Sequence, residues 1–298
     1  MSGWLKIYEK LFYYDKWNIG HSVQSAESLI ETKQLTDKIT WLCEDRADYK
    51  ADPFLININN RLHLFYEELI FWKGKGQIIV TDGLQYKSKK EVKGISKQNI
   101  HLSYPYVFES NDRVYCIPET SQIQQIVLYE VDKNKPYILK KIKIIKEGGA
   151  FVDSSIIYFQ GKYWLFTSLA GKYGELHIFY ADTLLDEFKA HKLNPIPVKF
   201  NESRSAGALF IVNHQLYMPT QNPGKCYGGS IMINKITLLN ESTFQCQNCF
   251  EIKPKAPYNM GVHTINFVGN LIVIDGKRKV FSLLTPLKKT VKKVKNIF

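Results

Sequence analysis

Long apolar stretches are absent from this sequence. No run approaches the roughly 18 residues that a bilayer-spanning helix needs, so no transmembrane anchor is expected. The first residues lack an uninterrupted apolar core and a small-residue cleavage site, so no signal peptide is expected either. Cysteine is sparse: the five residues are an odd number without framework spacing, which fits reduced thiols in a cytoplasm. Cys246-Gln247-Asn248-Cys249 has zinc-knuckle spacing but no second pair, so no metal site is expected. No glycine-rich loop joins a strand to a helix, no Asp-x-Asp pair occurs, and nothing resembles a nucleophile elbow. No cofactor is expected. Acidic residues are the minority, 28 against 40 basic ones, for a net charge of +12. That balance favours anionic partners such as phosphorylated small molecules or an anionic lipid surface. Nucleic acid is not expected, because no recognised binding motif accompanies the charge.

Long helical periodicity is nearly absent between residues 50 and 285, and a repeat takes its place. Five times a short turn is followed by an apolar, aromatic-rich strand. The first residues after these turns are Arg61, Arg113, Lys162, Gln215 and Asn270, so the spacings are 52, 49, 53 and 55. A second strand precedes each turn, as in Pro53-Phe54-Leu55-Ile56 and Ile156-Ile157-Tyr158-Phe159, and a third follows most of them. A strand-and-turn repeat of this length predicts an all-β fold, a five-bladed β-propeller. The blades fall at roughly 50–98, 99–147, 148–200, 201–257 and 258–285. Residues 15–45 are expected to close the ring against the last blade, because open sheet edges are a liability. The whole chain, 1–298, reads as one domain, with the propeller at 15–285 and a basic tail at 286–298. Both ends read as short amphipathic helices. Trp4, Leu5, Tyr8, Leu11 and Phe12 share helical spacing at one end. At the other, Leu284, Leu287, Val291 and Val294 oppose Lys288, Lys289, Lys292, Lys293 and Lys295. Such a basic helix either lies on an anionic membrane surface or docks on the propeller.

A propeller converges equivalent positions of its blades on one funnel, so the turn serves as a ruler. Asp52 and Asp153 each stand nine residues before the first residue after a turn; Glu67 and Glu119 stand six after it. The matching slots in blades three and four hold Ser168 and Gln221. Blade four carries Arg204 near its inner strand, and blade five carries His263. In register, four carboxylates, an arginine and a histidine ring one mouth of the funnel. Facing acids perturb one another's pKa values, which is how a proton-transfer site is made. Each residue also has a structural reading: Asp52 before Pro53 as a turn start, Asp153 as a turn cap, Arg204 as an ion-pair partner, His263 as a core histidine, Glu67 and Glu119 as solvated residues. Tyr104, Tyr106 and Trp164 are the aromatics available to stack on a sugar.

The motifs Ala51-Asp52-Pro53-Phe54, Leu102-Ser103-Tyr104-Pro105-Tyr106, Ile117-Pro118-Glu119-Thr120, Val152-Asp153-Ser154-Ser155, Arg204-Ser205-Ala206-Gly207 and Gly261-Val262-His263-Thr264 occur in this order. Together they resemble the N-terminal domain of glucosamine inositolphosphorylceramide transferases and its bacterial relatives, often labelled formyltransferase-like. The resemblance covers about residues 15 to 280. The glycosyltransferase domain that follows in the plant proteins has no counterpart in this sequence, so their activity does not carry over automatically. More distantly, the pattern is similar to the five-bladed propellers of family 43 glycoside hydrolases. That similarity implies Asp52 as a general base and Asp153 as a residue tuning pKa. The slot it implies for the general acid lies near Ser205 and holds no carboxylate; Glu202 stands two to three residues early.

The expected function is a glycosyltransferase of cell-surface polysaccharide or glycolipid biosynthesis, cytoplasmic or peripheral on the inner membrane face. A phosphate-activated sugar donor needs no general acid, only positive charge for the departing phosphate. Arg204 and His263 are expected to supply it, Asp52 to act as base on a carbohydrate acceptor, Asp153 to hold it, and Glu119 and Gln221 to grip sugar hydroxyls. The alternatives are a glycoside hydrolase using Asp52 with Glu119 or Glu202, and a non-catalytic glycan-binding propeller.

Overall fold

The computed structural model describes residues 3–84, 88–95, 99–224 and 226–295, with side chains from residue 7 onward. The chain opens with helix α1 (Gly3–Phe12) and strand β1 (Tyr13–Val23), then helix α2 (Ala26–Thr32) and strand β2 (Thr40–Trp41). Four antiparallel sheets follow. Blade one is β3 (Tyr49–Ile58), β4 (Arg61–Leu69), β5 (Gly76–Asp82) and β6 (Lys90–Glu91). Blade two is β7 (Ser103–Ser110), β8 (Arg113–Glu119), β9 (Gln125–Val131) and β10 (Leu139–Glu147). Blade three is β11 (Phe151–Phe159), β12 (Lys162–Leu169), β13 (Glu175–Ala181) and β14 (Lys189–Ala190), with β15 (Ile196–Pro197) also against β13. Blade four is β16 (Phe210–Val212), β17 (Gln215–Asn222), β18 (Ser230–Leu239) and β19 (Phe244–Ile252). Strands β20 (Ile265–Val268) and β21 (Leu271–Phe281) complete the fifth sheet with β1 and β2, and helix α3 (Thr285–Lys295) ends the described chain.

The sequence ruler corresponds to a local backbone geometry. The turn pairs Asn59-Asn60, Asn111-Asp112, Gln160-Gly161 and Asn213-His214 all have positive φ at both residues. That is the requirement of the two-residue turn whose twist matches flanking strands, and Asn, Asp and Gly meet it at least cost. The five sheets form a five-bladed β-propeller. The ring closes where the first strand meets the last: β1 and β21 pair without interruption from Tyr13↔Phe281 to Val23↔Leu271. Residues 15–45 thus join the final blade, and the edges of both strands disappear.

Apolar layers fill the spaces between blades. Phe54, Tyr106, Cys116 and Leu165 belong to a cluster through blades one to three. Trp164, Phe166, Leu216 and Met218 join blades three and four. Ile231, Ile233, Ile265 and Ile274 join blade four to the closing blade, and Ile19 and Val273 meet Leu64 and Tyr66 of blade one. Successive strand residues face opposite sides of a sheet, so every blade feeds the layer on each flank.

Both terminal helices form, with an unexpected orientation for α3. Its lysines turn toward the propeller: Lys288 pairs with Asp48 at 2.8 Å, Lys289 donates to the carbonyls of Lys10 and Tyr13, and Lys295 donates to that of Trp72. Leu284, Leu287 and Val294 are instead exposed. The side chains of Trp4 and Leu5, and residues 296–298 of the basic tail, lie outside the described residues. No described helix is long and apolar enough to cross a membrane.

Candidate functional site

Three inner strands share one irregularity. The pairing register breaks between Ala51 and Phe54, between Ser103 and Tyr106, and between Val152 and Ser155. At each break stands a residue with positive φ: Asp52 at 51°, Tyr104 at 42° and Asp153 at 47°. Tyr104 lies 52 residues after Asp52 and 49 before Asp153, the same spacing as the turns, so all three occupy equivalent stations. A bulge frees backbone groups from the ladder, and each freed N–H must find an acceptor. The preceding blade supplies it as a carboxylate. Asp52 N donates to Asp275 Oδ2 at 3.2 Å, Tyr104 N to Asp52 Oδ2 at 3.2 Å, and Asp153 N to Glu119 Oε2 at 3.3 Å. Bulky residues rarely take positive φ. Tyr104 is held there by its hydroxyl, which lies 2.8 Å from Ser155 Oγ and donates to Gly207 O at 2.9 Å. Blade four admits no side chain at Gly207: φ is 121°, and an added Cβ would lie 1.9 Å from Ile265 O.

Two of the stations, Asp52 and Asp153, open on a cavity of about 210 Å³ that Glu67, Glu119, Arg204 and His263 also line. Trp17, Tyr49, His101, Tyr227 and Lys292 also line it. Asp52 is 5% exposed. Its Oδ1 accepts from Thr264 Oγ1 at 2.7 Å and lies 3.8 Å from His263 Nε2. Burial raises the Asp52 carboxyl to about 6, against the lowering effect of the His263 cation. His263 is stacked on Trp17 at 4.2 Å between ring centroids, and its Nδ1 pairs with the fully buried Asp275. Burial alone would lower its pKa; the Asp275 carboxylate outweighs burial and raises it to about 9. Glu119 is pushed up to about 8 by burial and by the Asp153 charge. Glu67 is pushed well above the carboxylate range by burial and by Asp52. His101 Nδ1 accepts from Gly76 N at 2.9 Å, so its proton sits on Nε2, 3.3 Å from Glu67 Oε1. Burial and the Lys292 charge drop the His101 imidazole to about 4.

Several expected site residues are engaged by protein groups, Arg204 while still lining the cavity. Arg204 Nε donates to Asp153, and its guanidinium lies over the Tyr227 ring at 5.6 Å. Gln221 Nε2 donates to Asp153 Oδ2 at 2.8 Å and to Ser205 O at 3.0 Å, so it holds the aspartate rather than a sugar hydroxyl. Ser168 Oγ donates to Ser203 O at 2.7 Å, tying blade three to blade four. Tyr104, Tyr106 and Trp164 are buried in the core. Glu202 pairs with Lys199 at 3.1 Å beside a separate surface cleft. The aromatics that do line the cavity, Trp17, Tyr49 and Tyr227, had no register signal, and neither did Asp275, His101 or Lys292.

Asp52, His263 and Asp275 offer ligand atoms within 4.8 Å of one another, the spacing of a cation site. Asp275 is already engaged by protein groups, however. Asp275 Oδ1 accepts from the amides of His263 at 2.9 Å and Thr264 at 3.0 Å, and Oδ2 faces the His263 Nδ1 proton. A metal would have to displace the charge pairing of His263 with Asp275, so the trio fits a histidine held between two carboxylates better than a cage.

Fold and cavity together define a five-bladed propeller with an acid-lined funnel. The chain belongs to the family described as glucosamine inositolphosphorylceramide transferase 1, N-terminal, whose model matches residues 26–257. It is 31% identical over 225 residues to glucosamine inositolphosphorylceramide transferase 1 of Oryza sativa subsp. japonica, covering 72% of this chain and 29% of that protein. Against the protein of the same name from Arabidopsis thaliana it is 34% identical over 210 residues, 67% of this chain and 27% of the relative. The chain thus spans less than a third of the length of these curated relatives. In architecture it is similar to a family 117 glycoside hydrolase of Zobellia galactanivorans (TM-score 0.53, 11% identity, 90% of this chain and 91% of that one). It is also similar to an alpha-L-arabinofuranosidase of Podospora anserina (TM-score 0.51, 14% identity, 73% of this chain and 75% of that one). At these identities the likeness concerns the fold alone.

Proposed function

We propose that the protein is a glycosyltransferase of cell-surface polysaccharide or glycolipid assembly, drawing on a phosphate-activated sugar donor at the cytoplasmic membrane face. The observation that carries this reading is a buried carboxylate in the cavity, Asp52, 3.8 Å from His263 Nε2 and raised by burial to about 6. Near neutral pH Asp52 is ionised and more basic than an ordinary aspartate, as a base for an acceptor hydroxyl should be. Each of its oxygens accepts one hydrogen bond, from Thr264 Oγ1 and Tyr104 N, which leaves lone pairs free for a proton. His263, fixed by Asp275, steadies the charge; Arg204 and Gln221 fix Asp153. Membership in a family named for transferases supports the assignment.

Glu119 favours a second reading. Protonated at neutral pH, it is an available general acid from blade two, although the blade-four slot carries no carboxylate. Acid and base together suit glycoside hydrolysis. Incubation of the full chain with nucleotide sugars and polyprenyl-phosphate sugars, with glycolipid acceptors, tests the first reading; aryl furanosides and arabino- or xylo-oligosaccharides test the second. Transfer that disappears in Asp52→Asn supports a transferase. Hydrolysis lost in both Asp52→Asn and Glu119→Gln, without transfer, replaces it with the hydrolase. Turnover that persists in Asp52→Asn refutes both.

A further inference from the structure

The cavity has few free cations. Arg204 is engaged by Asp153, and His263 lies between Asp275 and Asp52. The positive charge expected for a phosphate is therefore committed inside the funnel, and it reappears next door. A groove of about 650 Å³ runs between α1, α3 and the propeller rim. Lys10, Lys279, Lys289, Lys292 and Lys293 line it, against two carboxylates, Glu9 and Asp15. Tyr49 and Lys292 line both groove and cavity, so the two spaces share a wall.

The lysines are not equivalent. Lys279 is paired with Glu9 at 3.4 Å, though both are well exposed. Lys289 spends two of its three donors on the carbonyls of Lys10 and Tyr13 and keeps one. Lys292 has no carboxylate within ion-pair distance among the described residues; its ammonium sits 5.1 Å from the Tyr49 ring centroid and 4.9 Å from that of Phe71. The two acids that act on it electrostatically, Glu67 and Asp48, are engaged elsewhere. Asp48 is bound by Lys288 at 2.8 Å, and Glu67 is buried beside Asp52 and held toward its neutral form. Burial also weakens the Lys292 cation, which is lowered from the usual lysine value, so an anion at this place would relieve it.

We propose that this groove binds the phosphate of a phosphate-bearing sugar, with Lys292 at the junction and Lys289, Lys293 and Lys10 around it, while the sugar enters the inner cavity. The inference rests on the sugar-binding reading of the cavity. The inner space is smaller than a drug-sized pocket and the outer one lies within that range, which suits one ring inside and a charged group outside. Ammonium groups act on phosphate as point charges, so binding should weaken steeply with salt.

The test is calorimetric titration of the full chain with pyrophosphate, glucose 1-phosphate and glucose, and flotation with phosphatidylcholine vesicles with or without phosphatidylinositol. Pyrophosphate binding that falls about tenfold or more in Lys292→Met, returns in Lys292→Arg and is unchanged in the distant Lys133→Met supports the groove. Lys293→Met, which leaves the buried contacts of α3 in place, should weaken it by a smaller factor. Lys292-dependent flotation would name a lipid headgroup as the source; binding of glucose 1-phosphate without flotation would name a soluble one. Pyrophosphate binding no tighter than sulfate at equal ionic strength, or unaffected by Lys292→Met, overturns the proposal. Lys292-dependent pyrophosphate binding without any sugar contribution would keep the groove and remove the sugar reading of the cavity.

Discussion

Replacing His263 with glutamine should make Asp52 harder to ionise. The two charged groups stand 3.8 Å apart and both are buried. At an effective dielectric constant of about 20 such a pair is worth about 4 kcal/mol, or about 3 pKa units as a ceiling. Relaxation and water around the uncharged glutamine should recover part of that loss. Asp52 should therefore move upward from about 6 by at least one unit. The glutamine keeps much of the imidazole's bulk against Trp17 and carries no charge. Carbon-13 NMR titration of aspartate side chains, with Asp52 assigned by the missing signal of Asp52→Asn, reads the shift without any substrate. A midpoint that stays within about half a unit of the starting value, or falls, would refute the claim that His263 is a cation acting on Asp52.

The pH dependence of stability should run opposite to ordinary acid denaturation. Asp52, Glu119 and His263 all hold protons more tightly folded than unfolded, so their contribution is present at low pH and lost as pH rises through about 6, about 8 and about 9. Asp52 alone, raised from 3.8, accounts for about 3 kcal/mol, lost between about pH 4 and pH 6, and Glu119 and His263 extend the loss, so the melting temperature should fall between about pH 4 and pH 9 in scanning calorimetry. Tyr104→Phe removes a buried hydroxyl that joins Ser155 to Gly207 and should cost about 1–3 kcal/mol in urea unfolding. Gly76→Ala places a Cβ 2.5 Å from Glu67 Oε1 and 2.7 Å from His101 Cε1. It should destabilise by about 1–3 kcal/mol and free the His101 imidazole to titrate above about 4 in proton NMR.

How much of this could be read from the sequence follows from where each group comes from. Asp52 and Asp153 were legible because their register is a property of the repeat, and a repeat is written in the chain. Tyr104 stands at the same offset in blade two, yet the sequence marked it only as an aromatic for a sugar, because equivalence of station does not say whether a side chain faces the cavity or a neighbouring blade. Gln221 and Ser168 show the same gap, since a polar residue at a funnel position can be spent on a neighbour's carbonyl. Trp17 and Asp275 come from the closing strands, whose partnership depends on the ring shutting. Lys292 arrives from a helix outside the repeat. Amphipathic spacing located α3 correctly but could not tell which face would turn inward, because the acidic and carbonyl partners of its lysines lie some 240 residues away in sequence, as for Lys288 and Asp48.

The seam between β1 and β21 joins the two ends of the chain, and Trp17 and Asp275 lie on it. During synthesis the first four sheets can assemble while the imidazole still lacks its stacking partner, its counter-charge, or both. The cavity is therefore complete only after the seam has closed. A clip or competitor that peeled Tyr13–Val23 away would take Trp17 from the cavity wall and unpair β21.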